Sequence, residues 1–441
     1  MIIHDATLIT MDEKKPVIHD GALYIKENKI VEVGTSQEIL GKYKDFATIR
    51  ANGRVVMPGL VNGHMHLYST FARGLDLKNT PPESFVEILE KLWWRLDKSL
   101  TEQAIYYSAL IAMLQAVRCG TTTIVDHHAS PRALRGSLFL IANLFEEIGL
   151  RGCLCYEVSD RDGDEVARAG IEENRRFIAS KAAKTDLMRG LFGLHAQFTL
   201  SDETLGRCRE AAETAQSLGF HIHCAEALSD QEAAQKDHGK RVVERLKEFG
   251  LLGQCSIAAH CVHVSDREIE LLAESGTFVS HNPRSNMNNA VGCAPVAKML
   301  DKGVLVGLGS DGMSASMWDE LKVGNLLHKH SSGDSNAGGV EVFRALFHNN
   351  AAFASRLYGE TIGILTPGAL ADVIILDYLP PTPLTSRNVM GHLLFGLADA
   401  PVETTIVNGK VLMRNRQILT IDEESLTEAS RKTAQNIWEK F

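Results

Sequence analysis

The chain has 441 residues, 44% of them apolar, and a formal net charge of −9. That length suits one large unit plus a smaller module, and the acidic balance argues against general nucleic-acid binding, which needs a basic face. No apolar run reaches the roughly 18 residues of a membrane helix, and MIIHDATLITMDEKK lacks the basic start, apolar stretch and cleavage site of a secretory leader, so a cytoplasmic setting is expected.

The N-terminal segment alternates in a strand-like way, as MIIHDATLIT and GALYIKENKIVEVG, with turns expected at Asp20-Gly21 and Glu27-Asn28. Short strands return near the other end as GALADVIILDY and VETTIVNGKVLM, the latter with an Asn408-Gly409 hairpin signal. Neither end supplies enough strands for a stable core of its own, so residues 1–56 and 366–422 are expected to build one small β-sandwich module together. Between them eight short apolar runs recur: VVMPGLVNGHMH, TTTIVDHH, RGCLCYEV, MRGLFGLHA, FHIHCAE, CSIAAHCVH, TFVSHN and LVGLGSD. They lack strict alternation, as strands covered on both faces do.

Helical stretches separate these runs. Residues 102–119 carry apolar positions at helical spacing and stop before Gly120. Residues 202–218 follow Ser201 and stop at Gly219, and Ser265 with Glu268 forms a capping-box signature. Eight strand–helix units over 57–365 predict an α/β fold, a (β/α)8 TIM barrel. Residues 423–441 read as a terminal helix packed on the surface or a frayed tail. The eight cysteines are scattered without a zinc-type pair, and Cys153 and Cys155 read as buried thiols.

Six residues of metal-ligand type close these runs. They are His64 and His66 in PGLVNGHMH, His223 and Glu226 in HIHCAEA, His260 in AAHCVH and Asp311 in GLGSDG. Strand ends far apart in sequence meet only if the strands stand side by side with their ends on one face. A closed parallel barrel does this, and its sites form at the C-terminal rim. His-x-His on a strand puts both imidazoles on one face. Two imidazoles, a third histidine and a carboxylate suit one divalent metal ion, zinc foremost and iron(II) or manganese acceptable, with a position open for water. Each piece alone is weak, since the chain has 17 histidines and aspartate before glycine is a common turn. Their shared structural position is the signal.

His195 ends the fourth run on the same rim, where a packing histidine is the bland reading. Asn286 and Arg284, after the seventh run, contact substrate or brace their loop. Adjacent His127 and His128 point to opposite faces of a strand, so at most one faces the site, and Asp126 is placed to orient one of them. The segment 67–101 is long enough for a lid or an oligomer contact. Its adjacent Trp93 and Trp94 are not expected to face a ligand together. No glycine-rich phosphate cradle occurs at a strand end.

These motifs make the chain resemble the amidohydrolase superfamily over nearly its whole length, in particular its cytosine deaminase, guanine deaminase and chlorohydrolase group. PGLVNGHMH, HCAEA, AAHCVH, SHNPRSNMNN, GLGSDG, GALADVIILD and VNGKVL carry the likeness, and LWWRLD, DHHASP and NPRSNMNN are similar to that group's aminohydrolases called SsnA. The resemblance implies that His64, His66, His223 and Asp311 bind one metal ion. It also implies that Glu226 shuttles a proton, that His260 stabilises the attacking oxygen, that Asp311 passes a proton to a departing amine, and that His195 contacts substrate. Members with two metals use a modified lysine on strand four, and MRGLFGLHA has none.

The implied reaction is hydrolytic deamination of an amino-substituted N-heterocycle (purine, pyrimidine, pterin or triazine) with release of ammonia. The same machinery would serve ring opening or loss of chloride. A non-catalytic metal-binding barrel is the alternative from another class, disfavoured because every expected ligand and both proton-transfer residues are present. The expected partners are a small heterocyclic substrate and a homodimer or higher homo-oligomer, with no nucleic acid and no membrane.

Overall fold

The computed structural model describes residues 1–78 and 80–441; Asn79, within the long 67–101 segment, lies outside them. Eight strand positions follow one another in chain order: Leu60–Met65, Thr121–His128, Arg151–Tyr156, Met188–Gly190 continued by Phe192–Ala196, Phe220–Cys224, Ile257–His260, Phe278–His281 and Leu305–Leu308. Hydrogen-bonded neighbours are parallel. Nearly every residue of these strands is buried, which is why they read as apolar runs rather than alternating ones.

The fourth run, expected as one strand, is two. Met188–Gly190 pairs with Arg151–Tyr156, whereas Phe192–Ala196 pairs with Phe220–Cys224. Leu191 N–H to Leu154 O (3.0 Å) and Val158 N–H to Gly193 O (3.2 Å) carry the row across the break. The last strand returns to the first: the N–H groups of Ser310 and Asp311 donate to His64 O at 2.8 and 2.9 Å, and His66 N–H donates to Asp311 O at 3.2 Å. The row therefore joins end to end, and the residues that follow each strand gather on one rim.

The run VVMPGLVNGHMH is also divided. Val55–Pro58 lies in a separate nine-stranded sheet, between Ile2–Ile9 and Val373–Leu376, and only Leu60–Met65 joins the parallel row. Pro58 has no N–H to continue a ladder, and Gly59 N–H turns instead to Asp372 O at 3.0 Å. Both chain ends thus build one sheet. The Asn408-Gly409 turn joins Val402–Val407 to Lys410–Arg414 within it, both turn residues having positive φ (51° and 75°), as this hairpin requires. Asp20-Gly21, expected as a turn, lies inside the strand Val17–Lys26 at a break in its register with Ile2–Ile9. Asp20 takes φ 47° there, the signature of a bulge rather than a chain reversal.

The helices follow their caps. Glu102–Cys119 starts on Thr101 and ends on left-handed Gly120 (φ 73°). Asp202–Ala215 starts on Ser201 but ends at left-handed Gln216 (φ 56°), three residues before Gly219. Ser265 and Glu268 form a reciprocal capping box. Glu423–Trp438 is helical and is pinned by Trp438 Nε1–H to Phe71 O at 2.8 Å. All eight cysteines are free thiols. No helix among the described residues is long and apolar enough to cross a membrane.

Candidate metal and catalytic site

The site is assembled where the last strand meets the first. Asn62 is the latch: its Nδ2–H donates to Ser310 Oγ at 2.7 Å, and its Oδ1 accepts from Ser310 N–H at 3.1 Å and His64 N–H at 3.3 Å. Gly309 makes this approach possible, since a Cβ there would lie 2.4 Å from Ser280 Oγ and 2.8 Å from His64 Cβ. The latch sets Asp311 beside His64 and His66, although about 245 residues separate them in sequence (311 less 66 or 64).

Three imidazoles converge through Nε2. His66 Nε2 lies 3.1 Å from His223 Nε2 and 3.0 Å from Asp311 Oδ1, and His64 Nε2 lies 3.6 Å from Asp311 Oδ1. Their Nδ1 atoms point away and are held. His66 Nδ1–H donates to His127 O at 2.6 Å and His223 Nδ1–H to His195 O at 2.9 Å, while His64 Nδ1 lies 2.8 Å from His221 Nε2. An Nδ1 tied in this way leaves the Nε2 lone pair free for a cation. His64 Nε2 is buried and has no hydrogen-bond partner in the protein, as a metal-binding nitrogen would be.

His64 and His223 are held in the neutral form that a metal-binding imidazole needs. Burial pulls His64 down to about 4 against the opposing pull of Asp311, and burial with neighbouring histidines holds His223 well below the usual range. At His66, burial is outweighed by the neighbouring carboxylates of Asp311 and Glu157, which hold it well above that range and favour its protonated form until a cation displaces the proton. Asp311 stays well below the usual carboxylate range: burial opposes ionisation, but contacts with His64 and His66 prevail. Among the described residues, ligand-type atoms form four clusters within 4.8 Å: two share His64 and His223, one adding His66 and His127 and the other His260 and Asp311, and the others are His127 with Cys155 and His221, and Glu157 with His195 and His223.

Glu226 and His260 stand beside the imidazole cluster. The chain leaves Phe220–Cys224 through Ala225 in the left-handed region (φ 48°), which swings Glu226 back over the imidazoles. Glu226 Oε2 lies 3.5 Å from His260 Nε2, and Oε1 accepts from Asn289 Nδ2–H at 3.3 Å. Burial pushes its carboxyl up to about 7, against the pull of His260. His260 (φ 75°) and Asp311 (φ 53°) are also left-handed. Such backbone is costly for residues other than glycine and concentrates at functional sites. Asp311 is two-sided: Oδ1 faces His64 and His66, while Oδ2 accepts from Ser285 Oγ–H and lies 3.7 Å from His260 Nε2.

Sequence comparison decides the family. The amidohydrolase family profile matches residues 55–412. The chain belongs to the amidohydrolase family. It is 36% identical to 5'-deoxyadenosine deaminase of Methanosarcina mazei, over 99% of this chain and 98% of that one. It is 32% identical to 5-methylthioadenosine/S-adenosylhomocysteine deaminase of Pelotomaculum thermopropionicum, over 98% of each. Among solved structures, an adenosine deaminase from Xanthomonas campestris with bound zinc superposes with a TM-score of 0.85 at 22% identity, covering 99% of this chain and 98% of that one.

The remaining residues of this amidohydrolase fall into place around the centre. His195 lines the cavity, its Nδ1 fixed 2.8 Å from Thr199 Oγ1. Asn286 sits behind His260, Oδ1 to Nδ1 at 2.8 Å, and is fully buried; it holds that ring rather than forming the cavity wall. Arg284 braces two helices by binding Glu320 Oε1 at 2.5 Å. His127 turns inward and stacks on His221 (4.2 Å, 15°), while His128 turns to Ser130 Oγ at 2.9 Å. Asp126 orients neither ring: its Oδ1 accepts from Leu67 N–H at 2.8 Å, fixing the backbone just after His66.

Trp93 and Trp94 both line the cavity, against expectation. The segment Phe85–Ser99, including a π-helical turn at Leu89–Trp93, contributes Phe85, Leu89 and Asp97 to the same lining. Trp93 packs on Gly312, and Trp94 flanks His195 and the Arg161 guanidinium.

Glu157 was not singled out from sequence. It is a buried carboxylate 3.2 Å from His66 Nδ1 and 3.5 Å from His127 Nδ1. Burial alone would raise its pKa, but His66 and the other surrounding cations hold it lowered. The available signal was its place at the end of the third apolar run, the same position that marks the other site residues.

Proposed function

We propose that this amidohydrolase removes the exocyclic amine of an aminopurine, with 5'-modified adenine nucleosides as the leading substrates, using one zinc ion held by His64, His66, His223 and Asp311. The observation that carries the reading is the convergence of three Nε2 atoms and one carboxylate beneath Glu226. The relatives' names favour adenine nucleosides, and nitrogen-rich ligands with one carboxylate suit zinc, with iron(II) or manganese as the other candidates. The likeness to SsnA gains support from position: Trp93, Trp94 and Asp97 of LWWRLD line the cavity, and His127 of DHHASP lies against the imidazole cluster.

A divalent ion bound there supplies the Lewis acidity that makes water a nucleophile near neutral pH. Glu226 takes a proton from the attacking water and delivers it to a ring nitrogen, which makes the ring carbon more electrophilic. His260 Nε2 hydrogen-bonds the attacking oxygen and stabilises the charge that develops on it. As the water oxygen bonds to the ring carbon, the bond from that carbon to the exocyclic nitrogen breaks. Asp311 passes the second water proton to the departing amine, so amine plus water becomes oxo product plus ammonia. His195, with Nδ1 anchored, presents its other edge to the substrate. In the same reading the joined strands are a (β/α)8 barrel over 57–365, and residues 1–56 with 366–422 form a β-sandwich module. The protein is then cytoplasmic and a homodimer or higher homo-oligomer.

Elemental analysis of purified protein beside a coupled ammonia assay on amino-purines, their 5'-modified nucleosides and amino-pyrimidines tests the function. One zinc per chain and ammonia release from adenine nucleosides are the expected results. Turnover without ammonia would point to ring opening or dechlorination instead. The ligand assignment has its own test, because His260 clusters with His64, His223 and Asp311. His260→Asn is expected to retain stoichiometric metal while His66→Ala loses it, and the reverse would move His260 into the ligand set.

A further inference from the structure

Two of the three converging histidines hand their Nδ1–H to backbone carbonyls, but His64 does not. Its Nδ1 meets a side chain, His221 Nε2, at 2.8 Å. His221 Nδ1 in turn lies 3.6 Å from Cys155 Sγ, and Cys155 Sγ–H reaches Asp126 O at 3.6 Å. His64, His221 and Cys155 are all fully buried, so no water competes for these contacts. The His127 ring stacked on His221 at 4.2 Å fixes the plane of the middle member.

The protons along this row can be counted. If His64 offers its Nε2 lone pair to a cation, its proton sits on Nδ1 and His221 Nε2 must accept it. A neutral His221 then carries its own proton on Nδ1, directed at the Cys155 sulfur, and the thiol proton is left for the Asp126 carbonyl. Each donor has one acceptor, and the direction of the whole row is set by the metal end.

We propose that His221 and Cys155 are positioning residues that lock the tautomer and ring orientation of His64, so that the metal centre is tuned from the third and fifth strands through a buried His–His–Cys relay. The relay rests on the reading that His64 is a metal ligand. It assigns His221 a role distinct from that of His223, its partner in the sequence HIH. His223 faces the ion, and His221 holds a ligand that arrives from another strand.

Zinc affinity measured by competition with a chromogenic chelator tests the relay on the wild-type chain and on His221→Phe, His221→Gln and Cys155→Ala. His221→Phe keeps a ring against His127 but removes the acceptor, and is expected to weaken zinc binding by about 10–100-fold, the range for lost partners of metal-bound histidines. His221→Gln restores an acceptor oxygen and is expected to recover most of that loss, while Cys155→Ala gives a smaller weakening. A folded His221→Phe chain that binds zinc as tightly as wild type overturns the relay while leaving the metal site standing. Failure of the wild-type chain to bind zinc overturns both. Should His221→Phe not fold, ¹⁵N spectra of the zinc-loaded wild-type chain still decide. The relay requires His221 to carry its proton on Nδ1, and a proton on Nε2 would overturn it.

Discussion

Glu226→Gln is expected to keep its metal and lose about 10²–10⁴ in kcat, the range for a positioned general acid–base. The substitution is close to isosteric, and Gln can still accept from Asn289 Nδ2–H, which reaches Glu226 Oε1 at 3.3 Å. What Gln cannot do is take a proton from water and return it to a ring nitrogen. Glu226 is suited to both halves of that transfer, because burial raises its carboxyl to about 7, near the pH at which the group must give and take a proton with equal ease. It stands outside the proposed ligand set and touches the site through His260, 3.5 Å away, so zinc content should not change. Ammonia release by stopped time points, paired with elemental analysis of the same preparation, separates lost chemistry from lost metal. Near-normal turnover with full zinc would remove Glu226 from the shuttle role.

The centre was legible in the sequence because its parts are local. His64, His66, His223, His260 and Asp311 each close an apolar run, and a strand end can be read from a few neighbouring residues. What escaped depends on distant partners. Glu157 closes its run just as His195 does, yet a carboxylate there becomes informative only once His66 and His127 are known to surround it. Asn62 carries no local signal and gains its role only when Ser310 is brought to its side chain. Asp126 was assigned to its adjacent histidines, but the fold offered it Leu67 N–H from the helical turn that follows the first parallel strand.

The fold shows the same division. Eight apolar runs gave the rhythm of the parallel row, but whether Val55–Pro58 pairs within that row or with Ile2–Ile9 is settled by a contact to Asp372 more than 300 residues away in sequence (372 less 59). The rule that adjacent helical side chains do not face a ligand together failed at Trp93 and Trp94, where a π-helical turn at Leu89–Trp93 passes into the helix Trp94–Ser99.

Asp372→Ala is expected to destabilise the protein by about 3–5 kcal/mol, the cost of stranding a buried charge, while leaving zinc content and kcat at low temperature near wild type. Arg151 begins the third parallel strand, and its guanidinium grips Asp372 twice, Nε to Oδ2 at 3.0 Å and Nη2 to Oδ1 at 3.1 Å. Both side chains are essentially inaccessible, at 0% and 1% exposure, so water cannot replace the lost partner. Asp372 Oδ1 also accepts from Asn408 N–H at 2.7 Å, which makes this carboxylate the rivet between the parallel row and the sheet built by the two chain ends. The rivet sits where the third strand starts, and the metal cluster lies where the strands finish. Residues at that far end of a parallel strand ring serve stability rather than chemistry. Adding Arg151→Met to Asp372→Ala should recover much of the loss, because it removes the stranded charge. Thermal and denaturant midpoints of the single and double variants, read beside ammonia release at low temperature, distinguish the outcomes. Equal stability of wild type and Asp372→Ala would show that the two sheets do not depend on this pair.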